Sequence, residues 1–331
     1  MTIERRPFGV TKSGQAVCCY TLSDGEMSAE VLSYGGTLRC LRVPAPEGIR
    51  DVVLGFDSVG DYERQGGYVG ALIGRVCNRI GGAGFSLDGR RCRLPANEGS
   101  NCLHGGFNGF DKRVWEAGTR GDVLTLTLFS PGGDQGFPGN LTVWAEYSLA
   151  GGALKIRYCA RCGEDTPLGL TSHCYFNLNG HDAGAVDGHE IQIFAGAVTE
   201  TDAALIPTGK LLAVEGTPLD LREMRPVGGL VCDSNFVLAH AARGEPCLAA
   251  ALQSGGLRME CLTTEPGLQF YTGHGLSGEA GKGGAIYGSR AGLCLESQPW
   301  PDAVNHENFP SCVLRDGAVF SSETVYRFSI L

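Results

Sequence analysis

The sequence predicts an all-β protein, a large antiparallel β-sandwich with few short helices. Three observations carry that prediction. Short segments of alternating apolar and polar residues recur along the chain, closed by Gly, Pro, Asn or Asp, as half-buried strands are. The 331 residues include 51 glycines without a collagen period, which suits many short strands joined by turns. No long stretch carries the 3.6-residue periodicity of an amphipathic helix.

Residues 16–21, 28–33, 38–43 and 51–55 read as four strands bounded by Gly, Pro or Asp. Segments 85–87 and 91–94 flank Asp88-Gly89, a two-residue hairpin signal. Residues 122–129 alternate Val and Leu with Thr, and 141–149 and 153–159 flank a turn at Ala150-Gly151-Gly152. Further strands are expected at 190–194, 256–263, 268–272 and 319–330. The Gly-rich segment 276–288 reads as a surface loop. It lacks the GxxxxGK[ST] order and the strand-to-helix setting of a phosphate loop. With neither a low-complexity linker nor an internal repeat, residues 1–331 are expected to form one domain, a length that β-sandwiches reach.

Composition excludes some classes of function. A hydrophobic content of 43% suits a sizeable core, and a net charge of −9 opposes nucleic-acid binding, which needs a basic stripe. The opening MTIERRPFGVTKSG has no apolar signal-peptide core. No apolar run approaches the ~20 residues of a membrane helix. Fourteen cysteines lie scattered, several at strand-like buried positions (Cys18, Cys77, Cys261, Cys294), so free thiols in the cytoplasm are expected. Cys159-x-x-Cys162 is the only CxxC, without a second pair or a ligand His beside it.

The chemistry centres on residues 168–180, LGLTSHCYFNLNG, between a Thr166-Pro167 break and an Asn179-Gly180 turn. One imidazole, His173, sits there among small, aromatic and amide side chains. Histidine alone holds and releases a proton near neutrality with an unperturbed pKa, although a lone His is also a common core residue bonded to a carbonyl. In Gly292–Ala303, Glu296 interrupts an apolar strand. A buried glutamate there would have the raised pKa of a general base; an edge-strand Glu facing water fits the pattern equally. Asn78 and Arg79 in GRVCNRI offer an amide beside a guanidinium fork, or a surface Arg pair formed with Arg75. His104 precedes two glycines that would let backbone approach a ligand. Asp233 reads as a hydroxyl acceptor or a turn residue, and Gln269 as an amide on an aromatic strand.

Together these stretches resemble the aldose 1-epimerases, or galactose mutarotases. GRVCNRI, FSLDG, NCLHGG, GFPGN, TSHCYFNL, GLQFYTG and LESQPWPDAVNHENFPS follow one another in register along nearly the whole chain. The resemblance implies a β-sandwich with an open sugar cleft, with Glu296 as general base and His173 as general acid. It assigns sugar binding to Asn78, Arg79, His104, Asp233 and Gln269. Ring opening and reclosure at C1 moves only protons, so neither cofactor nor metal is expected. The expected partner is a small aldose such as galactose or glucose, with no nucleic acid or membrane, and the protein a monomer or homodimer. Two positions depart from the family pattern: Ser234, where a His often follows the aspartate, and His274, where an Asn often follows Thr-Gly. The alternatives are a hexose-6-phosphate 1-epimerase, for which Arg75 and Arg79 could supply charge, and a non-catalytic carbohydrate-binding protein.

Overall fold

The computed structural model describes residues 2–239 and 244–331. Among these, the strands gather into three larger antiparallel sheets and several two-stranded pairs. The nine-stranded sheet runs Glu116–Arg120, Val123–Ser130, Leu141–Ala150, Ala153–Cys162, Phe320–Ile330, Leu257–Thr263, Cys247–Ser254, Glu190–Ile193, Arg225–Pro226 in spatial order. Its alternation is sharp: Leu124, Leu126, Val143, Ala145, Tyr147, Leu154 and Ile156 are buried while their neighbours are less so. Period-two alternation puts all of them on the core face.

Against this face lies a six-stranded sheet, in the order Tyr175–Phe176, Leu293–Gln298, Gly267–Tyr271, Asp233–Leu238, Ala195–Thr201, Pro207–Ala213. Phe176 and Tyr326 pack ring to ring at 4.8 Å, and the Tyr326 hydroxyl donates to the Leu295 carbonyl. These contacts join the layers of the predicted sandwich. A five-stranded N-terminal sheet, Thr2–Val10 to Gly48–Asp51 in chain order, adds a second core of Val17, Leu32, Leu54 and Phe56 with Tyr175 and Cys294.

The hairpins follow their turn signals. Leu87 pairs with Arg90 across Asp88 and Gly89, both at positive φ, as a type I′ turn requires. Gly151 and Gly152, likewise at positive φ, close the long hairpin in which Ala150 pairs with Ala153.

Several expectations shift. The strand expected at 51–55 ends at Asp51, leaving an isolated bridge from Val53 to Phe176. The Asp51 carboxylate accepts from the Leu41 and Val53 amides and the Lys282 ammonium, which stops regular pairing. Segment 276–288 is more than a surface loop. It holds the pair Glu279–Ala280 and Ile286–Tyr287, and buries Lys282, whose ammonium also donates to the Arg39 and Val53 carbonyls. Cys18 is half-buried, whereas Cys77, Cys261 and Cys294 are buried; all fourteen cysteines are free. Cys247–Ser254, CLAAALQS, was not expected as a strand because its central four residues are buried on both faces, which erases alternation. Among the described residues, no helix is long and apolar enough to cross a membrane.

Candidate active site

The cleft of about 630 Å³ opens on the six-stranded sheet and is lined by residues spread from Gly66 to Glu296. Register explains much of its make-up. On Leu293–Gln298, Leu293 and Leu295 enter the core between the sheets, so Cys294 and Glu296 face the other way. Glu296 stands opposite Gln269, and Gln269 opposite Asn235. One step along, Tyr175, Cys294, Tyr271 and Asp233 form a row across four strands. Both faces are covered, so all six residues of 293–298 are buried. Of the two readings of Glu296, the buried one holds: it is 2% exposed.

His173 lies in the link between Thr171–Ser172 and Tyr175–Phe176. Its amide donates to the Ala71 carbonyl and its carbonyl accepts from the Gly70 amide, both at 2.9 Å. Its ring lies between Tyr68 and Tyr175, at 5.8 and 5.1 Å with interplanar angles of 28°. Its Nε2 is 3.7 Å from Glu296 Oε1, and its Nδ1 is 3.6 Å from Cys294 Sγ. Burial lowers the His173 pKa to about 4. Burial, with Asp233 nearby, pushes Glu296 well above the usual carboxylate range, and Arg79 opposes the rise. Each shift disfavours the charged form of its own group.

The opposite wall is built on strained backbone. Tyr68, Asn78 and His104 have φ of 55°, 59° and 51°, a left-handed conformation costing about 1–3 kcal/mol per non-glycine residue. Reciprocal bonds hold two of them. The His104 amide donates to the Asn78 carbonyl, and the Asn78 amide donates to His104 Nδ1 at 3.1 Å. Since Nδ1 accepts, a neutral His104 carries its proton on Nε2. Burial and the nearby His173 pull its pKa well down, so it is uncharged. Gly105 is needed for a different reason from the expected approach of a ligand. At φ +82°, a Cβ would lie 2.1 Å from the Gly74 carbonyl oxygen.

Arg79 donates from Nε and Nη2 to the two oxygens of Glu98, at 2.7 and 2.8 Å. Its Nη1 stands 3.7 Å from Asp233 Oδ2. Gln269 Nε2 donates to Asp233 Oδ1 at 2.6 Å. All seven residues expected at the site therefore line one cleft, which gathers carboxylates, amides, a guanidinium and an imidazole N–H as hydrogen-bonding groups.

Arg75 does not join them. It is buried, and its guanidinium donates to the Ser130, Pro131, Pro138 and Gly139 carbonyls and to the Ser130 and Thr166 hydroxyls. The reading of a surface Arg pair fails for the same reason. Of the two departures, His274 lines the cleft, its Nδ1 3.2 Å from the Thr272 hydroxyl. Ser234 is the next residue along the strand from Asp233 and belongs to the opposite face. Sequence reasoning missed Tyr68, Tyr271 and Leu205 as cleft residues, and Glu98 as the partner of Arg79. Tyr271 lies within GLQFYTG, a stretch already singled out, and Glu98 just ahead of NCLHGG; Tyr68, in Gly66-Gly67-Tyr68, carried no signal.

The aldose 1-epimerase family profile matches residues 18–327. A galactose mutarotase of Rattus norvegicus is 39% identical over 340 residues, covering 100% of this chain and 99% of that protein. An aldose 1-epimerase of Escherichia coli K12 is 36% identical, covering 95% and 96%. A crystal structure of an aldose epimerase homologue from C. elegans superposes with a TM-score of 0.88 at 28% identity, covering 94% of this chain and 98% of the other. The chain belongs to the aldose 1-epimerase family, and its activity is that of an isomerase interconverting the anomers of an aldose.

Proposed function

We propose that Glu296 is the general base and His173 the general acid of this epimerase, acting on free hexoses such as galactose and glucose. The observation that carries the reading is the buried approach of His173 Nε2 to Glu296 Oε1 at 3.7 Å, on the wall of the cleft.

Glu296 takes the proton of the C1 hydroxyl while the His173 imidazolium donates to the ring oxygen. The C1–O5 bond breaks to leave an open-chain aldehyde. Rotation about C1–C2 presents the other carbonyl face, and both transfers reverse as the ring closes. The pair holds one proton throughout. Burial favours the uncharged distribution, carboxylic acid beside neutral imidazole, which is also the state reached at the aldehyde. The charged distribution is needed when C1–OH and O5 stand against the pair, where their hydrogen bonds offset the burial. Asp233, Gln269, Arg79, Asn78 and His104 Nε2 orient the remaining hydroxyls. A missing hydroxyl would leave a buried group such as His104 Nε2 unpaired, which is how such a set discriminates.

A free sugar fits better than a hexose 6-phosphate, because Arg75 is committed to backbone carbonyls and Arg79 to Glu98. The names of the relatives favour galactose. We take residues 1–331 as one functional domain, supported by a cleft that draws on residues 66 to 296. We take the protein as a cytoplasmic monomer or homodimer needing neither nucleic acid nor membrane. Fourteen free cysteines support a reducing compartment.

The test is polarimetry on freshly dissolved α-D-galactose and α-D-glucose. The protein should speed the approach to the same equilibrium rotation, faster than with the 6-phosphates. Glu296→Gln should lower kcat by ~10²–10⁴-fold with galactose binding retained. Near-normal turnover in that variant would remove Glu296 from the mechanism.

A further inference from the structure

We infer that Cys294, His173 and Glu296 form a binding site for a thiophilic divalent cation, and that occupying it stops the reaction. Cys294 and Glu296 are two residues apart on Leu293–Gln298 and share its cleft-side face. His173 comes from the link leading into Tyr175–Phe176, which pairs with that strand through Tyr175 and Cys294. One ligand atom from each of the three lies within 4.8 Å of the others, and all three residues are buried. Zinc holds such ligands at about 2.0–2.3 Å in a tetrahedron, which sets them about 3.3–3.7 Å apart. The imidazole binds one ion through one nitrogen, so one of two contacts, Sγ to Nδ1 at 3.6 Å or Nε2 to Oε1 at 3.7 Å, is already of that size. Movement of the third side chain, from ligand atoms all within 4.8 Å, brings the three onto one centre.

A second observation points to a ligand here. Glu296 Oε2 is buried without a hydrogen-bond partner. Thiolate, imidazole and carboxylate together suit zinc or cadmium rather than magnesium or calcium, which prefer all-oxygen sets. The fourth position would open towards the cleft.

Binding is ligand exchange without electron transfer. The S–H bond of Cys294 breaks, its proton passes to solvent, and a sulfur–metal bond forms. The imidazole lone pair and a carboxylate oxygen complete the set as the ion sheds three waters. The metal then holds the lone pairs that would move protons, and it occupies the place of C1 and O5. Inhibition should therefore compete with sugar. That inhibitory half rests on the proposed roles of His173 and Glu296; the binding half does not.

The test is a cadmium titration of the full-length protein, read by thiolate-to-cadmium ultraviolet absorption, beside zinc inhibition of galactose mutarotation. Part of the cadmium band should vanish in Cys294→Ser and, in the unmodified protein, under saturating galactose. Zinc should inhibit competitively with galactose, reversibly by chelator. Its inhibition constant should rise at least about tenfold in Cys294→Ser, since losing even an outer partner of a metal ligand costs that much. It should stay unchanged in the control Cys159→Ser. Cys294→Ala serves if the serine variant does not fold, and galactose protection needs no variant. Equal zinc sensitivity with and without the Cys294 thiol, or a cadmium band indifferent to galactose, would overturn the site. Cadmium uptake that depends on Cys294 but leaves mutarotation unchanged would overturn the inhibitory half, and the acid–base roles with it.

Discussion

At the scale of single residues, the site depends on partners as much as on the groups that face the cleft. Arg79 is aimed by the two-pronged contact with Glu98, a charge-assisted geometry stronger than a neutral hydrogen bond. Glu98→Gln removes one acceptor oxygen and the charge. It should raise KM for galactose about tenfold with a smaller change in kcat, in keeping with about 1.5 kcal/mol for a hydrogen bond to a charged group. Steady-state polarimetry over a range of galactose concentrations checks this; an unchanged KM would show that Arg79 needs no such support. His173 and Glu296 were legible in the sequence because each breaks its surroundings, an imidazole among uncharged side chains and a carboxylate in an apolar strand. Tyr68 was not, because an aromatic beside two glycines looks like any loop. Only the fold sets its ring against His173.

At the scale of elements, the cleft is made by strand register on one side and strained turns on the other. The strand side was readable in outline: Glu190–Ile193, Leu257–Thr263 and Gly267–Tyr271 fall close to the predicted spans. The turn side was not, since Asn78 and His104 adopt left-handed φ and, although their residue types favour it, most Asn and His residues do not adopt it. Gly105 is the sharpest test of that wall. Gly105→Ala would drive a Cβ into the Gly74 carbonyl oxygen at a residue with positive φ. It should destabilise the protein by about 1–3 kcal/mol, the usual cost of forced overpacking, and weaken sugar binding by displacing His104. A denaturation midpoint equal to that of the unmodified protein would show that the turn can relax.

At the scale of the whole molecule, the layers are tied by buried polar groups whose protonation links stability to pH. His189 is fully buried, and its Nε2 accepts from the Leu178 amide at 2.8 Å. Its own carbonyl accepts from Val227. Burial lowers its pKa to about 4, below the unfolded value near 6.5. The unfolded chain therefore binds the proton first as pH falls. The stability from neutral His189 is complete above about pH 6.5 and is lost as pH drops towards 4, by about 3 kcal/mol for this group alone. Chemical denaturation from pH 7 to 4 should show the decline, and His189→Gln, which keeps an acceptor but does not titrate, should make it shallower. An unchanged slope would remove His189 from the linkage. The sequence by itself determined the β class, the hairpins at Asp88-Gly89 and Ala150–Gly152, the family, and the candidate residues His173 and Glu296. These rest on local alternation, turn chemistry and ordered motifs, all of which can be read along the chain. Only the tertiary structure decided that Arg75 turns inward while Arg79 faces the cleft. The same holds for the burial of Lys282 beneath an apparent surface loop, and for the meeting of Cys294, His173 and Glu296. Which side of a strand is covered, and by what, depends on packing between distant segments, and that packing sets both the contacts and the protonation of each group.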